Sequence, residues 1–414
     1  MTLTKNEKVT LYMLAAVSFT NILDFIVLMP LGHVLQETFE MTPVMWSAVV
    51  SSYTLAAAVS GLISIFIIDR FERKRMFLTI YAFFTIGTLL CSIAPTYHFL
   101  LLARLFTGVF GGLINAALFT IVGDMLPEEK RGTGIGILMT GFAVSSAIGV
   151  PIGLYLGVEI DWHAPFLIIG CIASVLWIVC YKRLPTMNAH LEHRKDPNEN
   201  IKLLAPFTEL LSNKRQQQGL LALGFVFFGH FLLIPFFSPY MVNNIGFEDS
   251  QLTWIYLCGG ICTMYFSPRI GVWSDKYGKY LVFTIISCIT VLPTLVLTNT
   301  PTMSIPFVLV FSSLFFICGA RSIPANALLL GTSNPKKRGS FMSVRSSVQN
   351  LSQGLASFAS GYIIYQDPTT GVFQHYNRIG IISVIATMLG VFLFKKISDT
   401  AKHRARKLSL QNQA

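Results

Sequence analysis

The chain reads as an all-α membrane protein of twelve transmembrane helices in two six-helix, pseudo-symmetric halves. Three observations predict this: the composition, a series of long apolar runs, and a two-fold repeat of charged loop motifs. Of 414 residues, 53% are hydrophobic and only 12% charged, with 33 phenylalanines. A soluble chain carries about 25% charged residues, so this balance belongs to an integral membrane protein rather than to a large soluble core.

Most of the apolar runs exceed roughly 18 residues, enough to cross a hydrocarbon layer about 30 Å thick. The first begins near Val9 and continues to Pro30, too long for a signal peptide and followed by no small-residue cleavage site. It is expected to be a retained helix. The twelve spans are expected near residues 10–32, 44–68, 76–94, 98–123, 133–157, 164–181, 218–243, 251–274, 280–298, 304–330, 340–365 and 378–395. Residues 1–181 then form one six-helix half and 218–397 the other. The polar stretch 182–217 is a central linker, with a short surface helix near Ala205–Leu211, and 398–414 is a basic tail.

Lys and Arg gather in one alternate set of connections. These are the N-terminus (Lys5, Lys8), Arg70 to Arg75, Lys130-Arg131, the linker, Lys276 to Lys279, Lys336 to Arg338, and the tail. The other set holds Glu37, Glu40, Glu159, Asp161, Glu248, Asp249 and Asp367, with Arg378 its basic member. The positive-inside rule therefore predicts a multi-pass protein of the cell (inner) membrane with both termini cytoplasmic. The net charge of +11 is a topology signal, and with no basic folded face evident, nucleic acid is not expected as a partner. The seven cysteines are scattered through apolar runs and have no histidine company, so neither a metal site nor a cofactor is expected.

The halves repeat at about 207 residues. Asp69-Arg-Phe-Glu-Arg73 matches Asp275-Lys-Tyr-Gly-Lys279, and Pro127-Glu-Glu-Lys-Arg131-Gly132 matches Pro335-Lys-Lys-Arg338-Gly339. Two parallel repeats about a midplane site are a transporter plan. The loop 69–75 resembles the signature G-x-x-x-D-R-x-G-R-K-R, with Ile65 and Glu72 in place of its glycines, whereas Gly271 to Lys279 keeps both. Arg104-Leu-Phe-Thr-Gly108 resembles R-x-x-x-G. Gly149-Val-Pro151-Ile-Gly153-Leu-Tyr-Leu-Gly157 is similar to an antiporter motif with its proline displaced by one residue. Leu23-Asp24 to Pro30 completes the set. On these motifs the chain resembles the major facilitator superfamily over essentially its whole length, with its nearest look to the twelve-helix drug:proton antiporters and their sugar-efflux relatives.

Ionisable groups at membrane depth are functional candidates by default. Asp24 is the carboxylate clearly at that depth; Arg104, His230, Arg321 and Arg345 are the possible partners. Asp24 lies roughly 22 Å along the first helix and Arg104 roughly 20 Å from the same face, so the two should be level. A buried pair offsets much of the desolvation that each charge suffers. The resemblance implies that the first, fourth, seventh and tenth helices line the central cavity, and these carry Asp24, Arg104, His230 and Arg321. Ser18, Asn21 and Asp24 form one stripe, Arg104, Gly108, Gly111 and Asn115 another, and Arg345, Gln349 and Ser352 a third. Such stripes face a cavity or tie helices together by hydrogen bonds. Both readings stand for Asn21, Asn115 and Gln349. His230 is either a cavity or a packing group. Arg321 and Arg345 either meet substrate or snorkel to the surface.

In the family, the first-half Asp latches onto the start of the eleventh helix and its counterpart onto the start of the fifth. The resemblance thus implies that Asp69 faces Gly339–Ser343 and Asp275 faces Arg131–Thr133. Arg70, Arg73, Asp124, Arg131, Lys279 and Arg338 are the surrounding network, or else a solvated positive-inside cluster. Gly149, Gly153 and Gly157, with Pro151 among them, make one smooth helix face for close packing. In the antiporter relatives that face seals the two halves. The expected activity is secondary transport by alternating access, with protons as partner and an organic or amphipathic small molecule as exported substrate. Alternatives are an uptake symporter, an exporter of an anionic solute or lipid, and a non-transporting sensor. No phosphate-binding loop and no nucleophile–base set is present, so an enzyme is not expected. The protein is expected to be a monomer in the bilayer.

Overall fold

The computed structural model describes residues 3–67, 71–187, 213–300, 304–332 and 338–411. The first six spans are built from α1 (Lys5–Val27), α2 (Gly32–Thr38), α3 (Pro43–Ile67), α4 (Arg73–Cys91), α5 (Tyr97–Met125), α6 (Glu128–Val144), α7 (Val150–Glu159) and α8 (His163–Arg183). The rest are α9 (Lys214–Asn243), α10 (Asp249–Tyr277), α11 (Lys279–Asn299), α12 (Ile305–Gly319), α13 (Ser322–Leu330), α14 (Arg338–Ile363) and α15 (Tyr376–Gln411). A two-strand ribbon, Tyr365–Gln366 with Phe373–Gln374, joins the last two helices.

Among the described residues ten helical segments are long and apolar enough to cross a membrane. The remaining two expected spans are α10 and α14, which have the length, 29 and 26 residues, but are more polar. The reason is visible in α14, where Ser343, Arg345, Ser346, Ser347, Gln349, Asn350, Ser352 and Gln353 crowd one helix. It packs along α3 rather than being wholly bathed in lipid. The expected surface helix near Ala205–Leu211 lies outside the described residues. The last candidate span ends at Ile397, and α15 continues through the basic stretch to Gln411.

Three spans are interrupted, each beside a proline. Pro lacks an N–H and frees the carbonyl four residues back. The first span stops at Val27 and resumes at Gly32, around Pro30. The fifth is one helix with a π-turn at Ser145–Gly149, just before Pro151. The tenth breaks between Gly319 and Ser322, and Pro324 follows. Such interruptions are tolerated where protein or a cavity satisfies the freed groups.

Packing joins the halves unevenly. At the end away from the termini, one core mixes both: Val27, Leu31 and Trp46 pack with Phe236, Tyr240 and Tyr376. At the end bearing the termini the cores are separate. One holds Leu14, Phe77, Tyr81, Ile114 and Ile121; the other holds Leu223, Phe283, Leu329, Phe341 and Phe394. At that end a Cβ added at Gly132, Gly136 or Gly271 would meet nothing within 4 Å. The molecule is therefore sealed at the far end and parted between α6 and α10 at the terminal end.

Candidate functional site

Asp24 and Arg104 meet at the centre of the first six helices, both fully buried. Arg104 Nη1 donates to Asp24 Oδ2 at 2.9 Å and to the Asp24 carbonyl at 3.2 Å. Thr88 on α4 donates its hydroxyl to Oδ1 at 3.0 Å. The guanidinium lies 4.6 Å over the Tyr53 ring, which supplies further stabilisation for a desolvated cation. Arg104 Nε and Nη2 have no hydrogen-bond partner among the described residues. The carboxylate therefore has two donor contacts, one on each oxygen, whereas the guanidinium keeps unused donors.

One turn away, Asn21 ties three helices. Its amide donates to Asn115 Oδ1 at 3.2 Å and to the Gly111 carbonyl at 3.5 Å, and its Oδ1 accepts the Tyr53 hydroxyl at 3.0 Å. Both asparagines thus make interhelical bonds. No Cβ fits at Gly108, where the Tyr53 backbone lies against the helix, nor at Gly111, which the Tyr53 hydroxyl abuts. These glycines let α5 close on α3 and carry Arg104 to Asp24.

The candidates of the last six helices stand apart from that pair. His230 on α9 stacks on Phe315 of α12, ring centroids 4.7 Å apart. Arg321 sits at the α12–α13 break, 1% exposed, with Nη1 on Thr290 Oγ1 (3.1 Å) and the Cys318 carbonyl (3.3 Å). Arg345 is half-buried and gives Nε to Asn326 Oδ1 at 2.9 Å. Gln349 is half-buried and makes no hydrogen bond among the described residues. Neither arginine snorkels freely; each is held by a neutral side chain of a neighbouring helix.

The loop candidates divide. Asp69 and Arg70 lie outside the described residues, and Arg338 is described only as the first residue of α14. Arg73, 3% exposed, gives Nε to Asp124 at 2.8 Å, which binds the start of α4 to the end of α5. Arg131 caps its own turn through the Leu126 carbonyl at 3.0 Å. Asp275 and Lys279 are exposed, and Asp275 makes no latch to Arg131–Thr133 in this conformation, where α6 and α10 are parted.

The glycine face needs a correction. Gly149, Gly153 and Gly157 do not meet the other half. They pack on Leu23, Val27 and Leu31 of the first span, where a Cβ would clash. The fifth span instead meets the other half on the other side of the π-turn, where Ser146 and Ala147 lie against Gly260 of α10. Pro151 is buried at the start of α7.

Sequence reasoning missed the far-end seal. Trp46 donates Nε1 to the Pro235 carbonyl at 2.7 Å. That carbonyl has lost its helical donor because Pro239 stands four residues on. His33 bridges Ser238 (Nδ1 to Oγ, 3.1 Å) and Asp249 (Nε2 to Oδ1, 2.5 Å), and Ser238 donates to the Pro30 carbonyl at 2.7 Å. The available signals were the prolines four apart and a histidine just after the Pro30 break.

The family model of the Major Facilitator Superfamily matches residues 14–231 and 219–412. The MFS-type transporter YbcL of Bacillus subtilis is 23% identical over 384 residues, 92% of this chain and 95% of that one. A probable sugar efflux transporter of Helicobacter pylori is 23% identical over 60% of this chain and 62% of its own. Multidrug resistance protein 3 of Bacillus subtilis is 31% identical over 57% and 49%. Among solved structures, an inward-facing, unoccupied bacterial homolog of the human lysosomal transporter Spinster superposes with TM-score 0.73. It has 16% identity and covers 96% of this chain and 99% of that chain. At that identity the likeness is one of fold alone.

Proposed function

The chain belongs to the Major Facilitator Superfamily, a family of membrane transporters and not of enzymes, and from that premise we propose that it is a proton-coupled exporter of a small organic solute. The observation that carries the coupling is the Asp24–Arg104–Thr88 cluster. A fully buried carboxylate in a membrane protein needs a reason, and an ion pair with unused guanidinium donors gives it two usable states. With Asp24 ionised, Arg104 is neutralised and the first and fourth spans are bound together. With Asp24 protonated, the pair loosens and a net positive charge appears beside Asn21 and Tyr53. A proton taken from one side and released to the other can then bias which end of the molecule is open.

The charge distribution supports a cytoplasmic assignment for the terminal end. On that assignment the parted end faces the cytoplasm, as suits loading of a solute for export. The relatives named as sugar efflux and multidrug resistance proteins support the outward direction. Asp275 and the start of α6 would close the terminal end in the opposite state.

Proteoliposomes containing the full chain and a solute that it carries test this. An imposed pH gradient should drive solute against its concentration, and Asp24→Asn should abolish the response to the gradient while leaving exchange down a solute gradient. Undiminished gradient-driven transport in Asp24→Asn would sink the proton role. A response to a gradient of the opposite sign would make the protein an uptake symporter instead.

A further inference from the structure

We propose that the solute is an amphipathic organic anion, its oxyanion held between Arg321 and Arg345; this rests on the transporter reading above. The first six helices show how this protein treats a buried arginine it keeps for itself: Arg104 is given Asp24. The last six do otherwise. Their carboxylates at membrane depth or beside it are Glu248, Asp249, Asp275 and Asp367, all at helix ends or in connections; Asp399 lies beyond the last span in the C-terminal extension of α15, and Asp249 is taken by His33. Arg321 is nonetheless 1% exposed and Arg345 half-buried. The partners of both are neutral: Thr290, the Cys318 carbonyl and Asn326. Arg321 Nε has no hydrogen-bond partner among the described residues. A desolvated cation without a counter-ion is strongly unfavourable, and two of them in one half leave a charge deficit that a bound anion would fill.

One short element relates the two arginines. Arg321 directly precedes α13, and Asn326, which holds Arg345, lies five residues further on, roughly 8 Å along the axis. A half-helix start at a broken membrane helix carries the positive end of its dipole, and breaks of this kind mark transporter binding sites. The apolar part of the ligand is set by the wall beside the break. Gly319 abuts the edge of His230 at 3.3 Å to a built Cβ. His230 stacks on Phe315, Phe315 meets Phe316 at 5.9 Å, and Phe316 meets Phe237 at 5.8 Å and Tyr256 at 5.6 Å. Of these rings His230 and Phe316 are half-buried, with Phe315, Phe237 and Tyr256 buried behind them; oxyanion receptors next to two such faces suit a carboxylate or phosphate on a flat apolar body.

Four naphthalene probes substituted at the same ring position with different head groups test this on the purified full chain by equilibrium binding at pH 7.5: 2-naphthoate, 2-naphthyl phosphate, 2-naphthol and 2-naphthylmethylammonium. One of the two anions should bind saturably and more tightly than the neutral and cationic probes, and which anion wins separates carboxylate from phosphate. Arg345→Gln, at a half-buried position, should weaken that anion about ten- to a hundredfold, and Arg345→Lys should recover part of the loss. Arg321→Gln should do the same, read only on protein whose unfolding curve stays cooperative. Equal or tighter binding of the cation, no binding of either anion, or unchanged anion affinity in Arg345→Gln overturns the proposal. The Asp24→Asn transport assay reads the pH gradient and not the head group, so the coupling reading and the anion reading fail separately.

Discussion

At the scale of single residues, the Asp24–Arg104 pair is the part of the site most legible in the sequence. Each lies in an otherwise apolar run, and counting 1.5 Å per residue puts them level; in the structure they are 2.9 Å apart. Thr88 and Tyr53, which complete the cluster, were not legible, because hydroxyls are common in membrane helices and nothing in the spacing sets these two apart. Removing one partner of a buried pair leaves an uncompensated charge and costs about 3–5 kcal/mol. Arg104→Gln should therefore lower the thermal unfolding midpoint of the detergent-solubilised protein markedly. The double variant Asp24→Asn with Arg104→Gln should regain much of the loss. A double variant as unstable as the sum of the singles would mean that the two groups act independently. Thr88→Val removes one donor from the carboxylate and should cost about 1–3 kcal/mol, measured the same way.

At the scale of elements, helix existence followed from apolar run length, but the interruptions did not. Pro30, Pro151 and Pro324 stand beside the three interruptions, but whether a proline kinks a helix, splits it or induces a π-turn depends on which neighbour takes the freed carbonyl. Trp46 reaching the Pro235 carbonyl is such a neighbour, 189 positions away in sequence. The glycine triplet shows the same limit. A four-residue period announces a close helix contact but does not name the partner, and the partner is the first span. Two substitutions separate tight from open glycines. Gly153→Val drives a branched side chain into Val27 and should destabilise by about 1–3 kcal/mol. Gly136→Ala meets open space and should be neutral or stabilising by about 0.4–1 kcal/mol. Unfolding midpoints that move equally for both would contradict the packing described here.

At the scale of the whole molecule, the arrangement of cores defines the conformation: one shared core at the far end, two separate ones at the terminal end. No sequence pattern reveals this, because a transporter sequence must encode both states and its apolar faces serve each in turn. The polar contacts of the far-end seal are few, and His33 is central to them, joining Ser238 and Asp249 of the other half. Alternating access requires that such a seal be strong enough to hold and weak enough to break, so losing one member should shift the populations rather than unfold the protein. If His33 contributes about 1–3 kcal/mol to the far-end-closed state, its loss changes the ratio of the two states by about five- to a hundred-and-fifty-fold. A cysteine at Gly136, on the face of α6 that is open in this conformation, reports that ratio through its rate of reaction with a water-soluble maleimide. The background must lack the exposed native thiols Cys171 and Cys288. Adding His33→Ala should slow labelling at residue 136, as the terminal end closes more often, and His33→Gln, which can still bond Ser238, should slow it less. An unchanged labelling rate in His33→Ala would show that Trp46 and the shared apolar core hold the far end shut without the histidine.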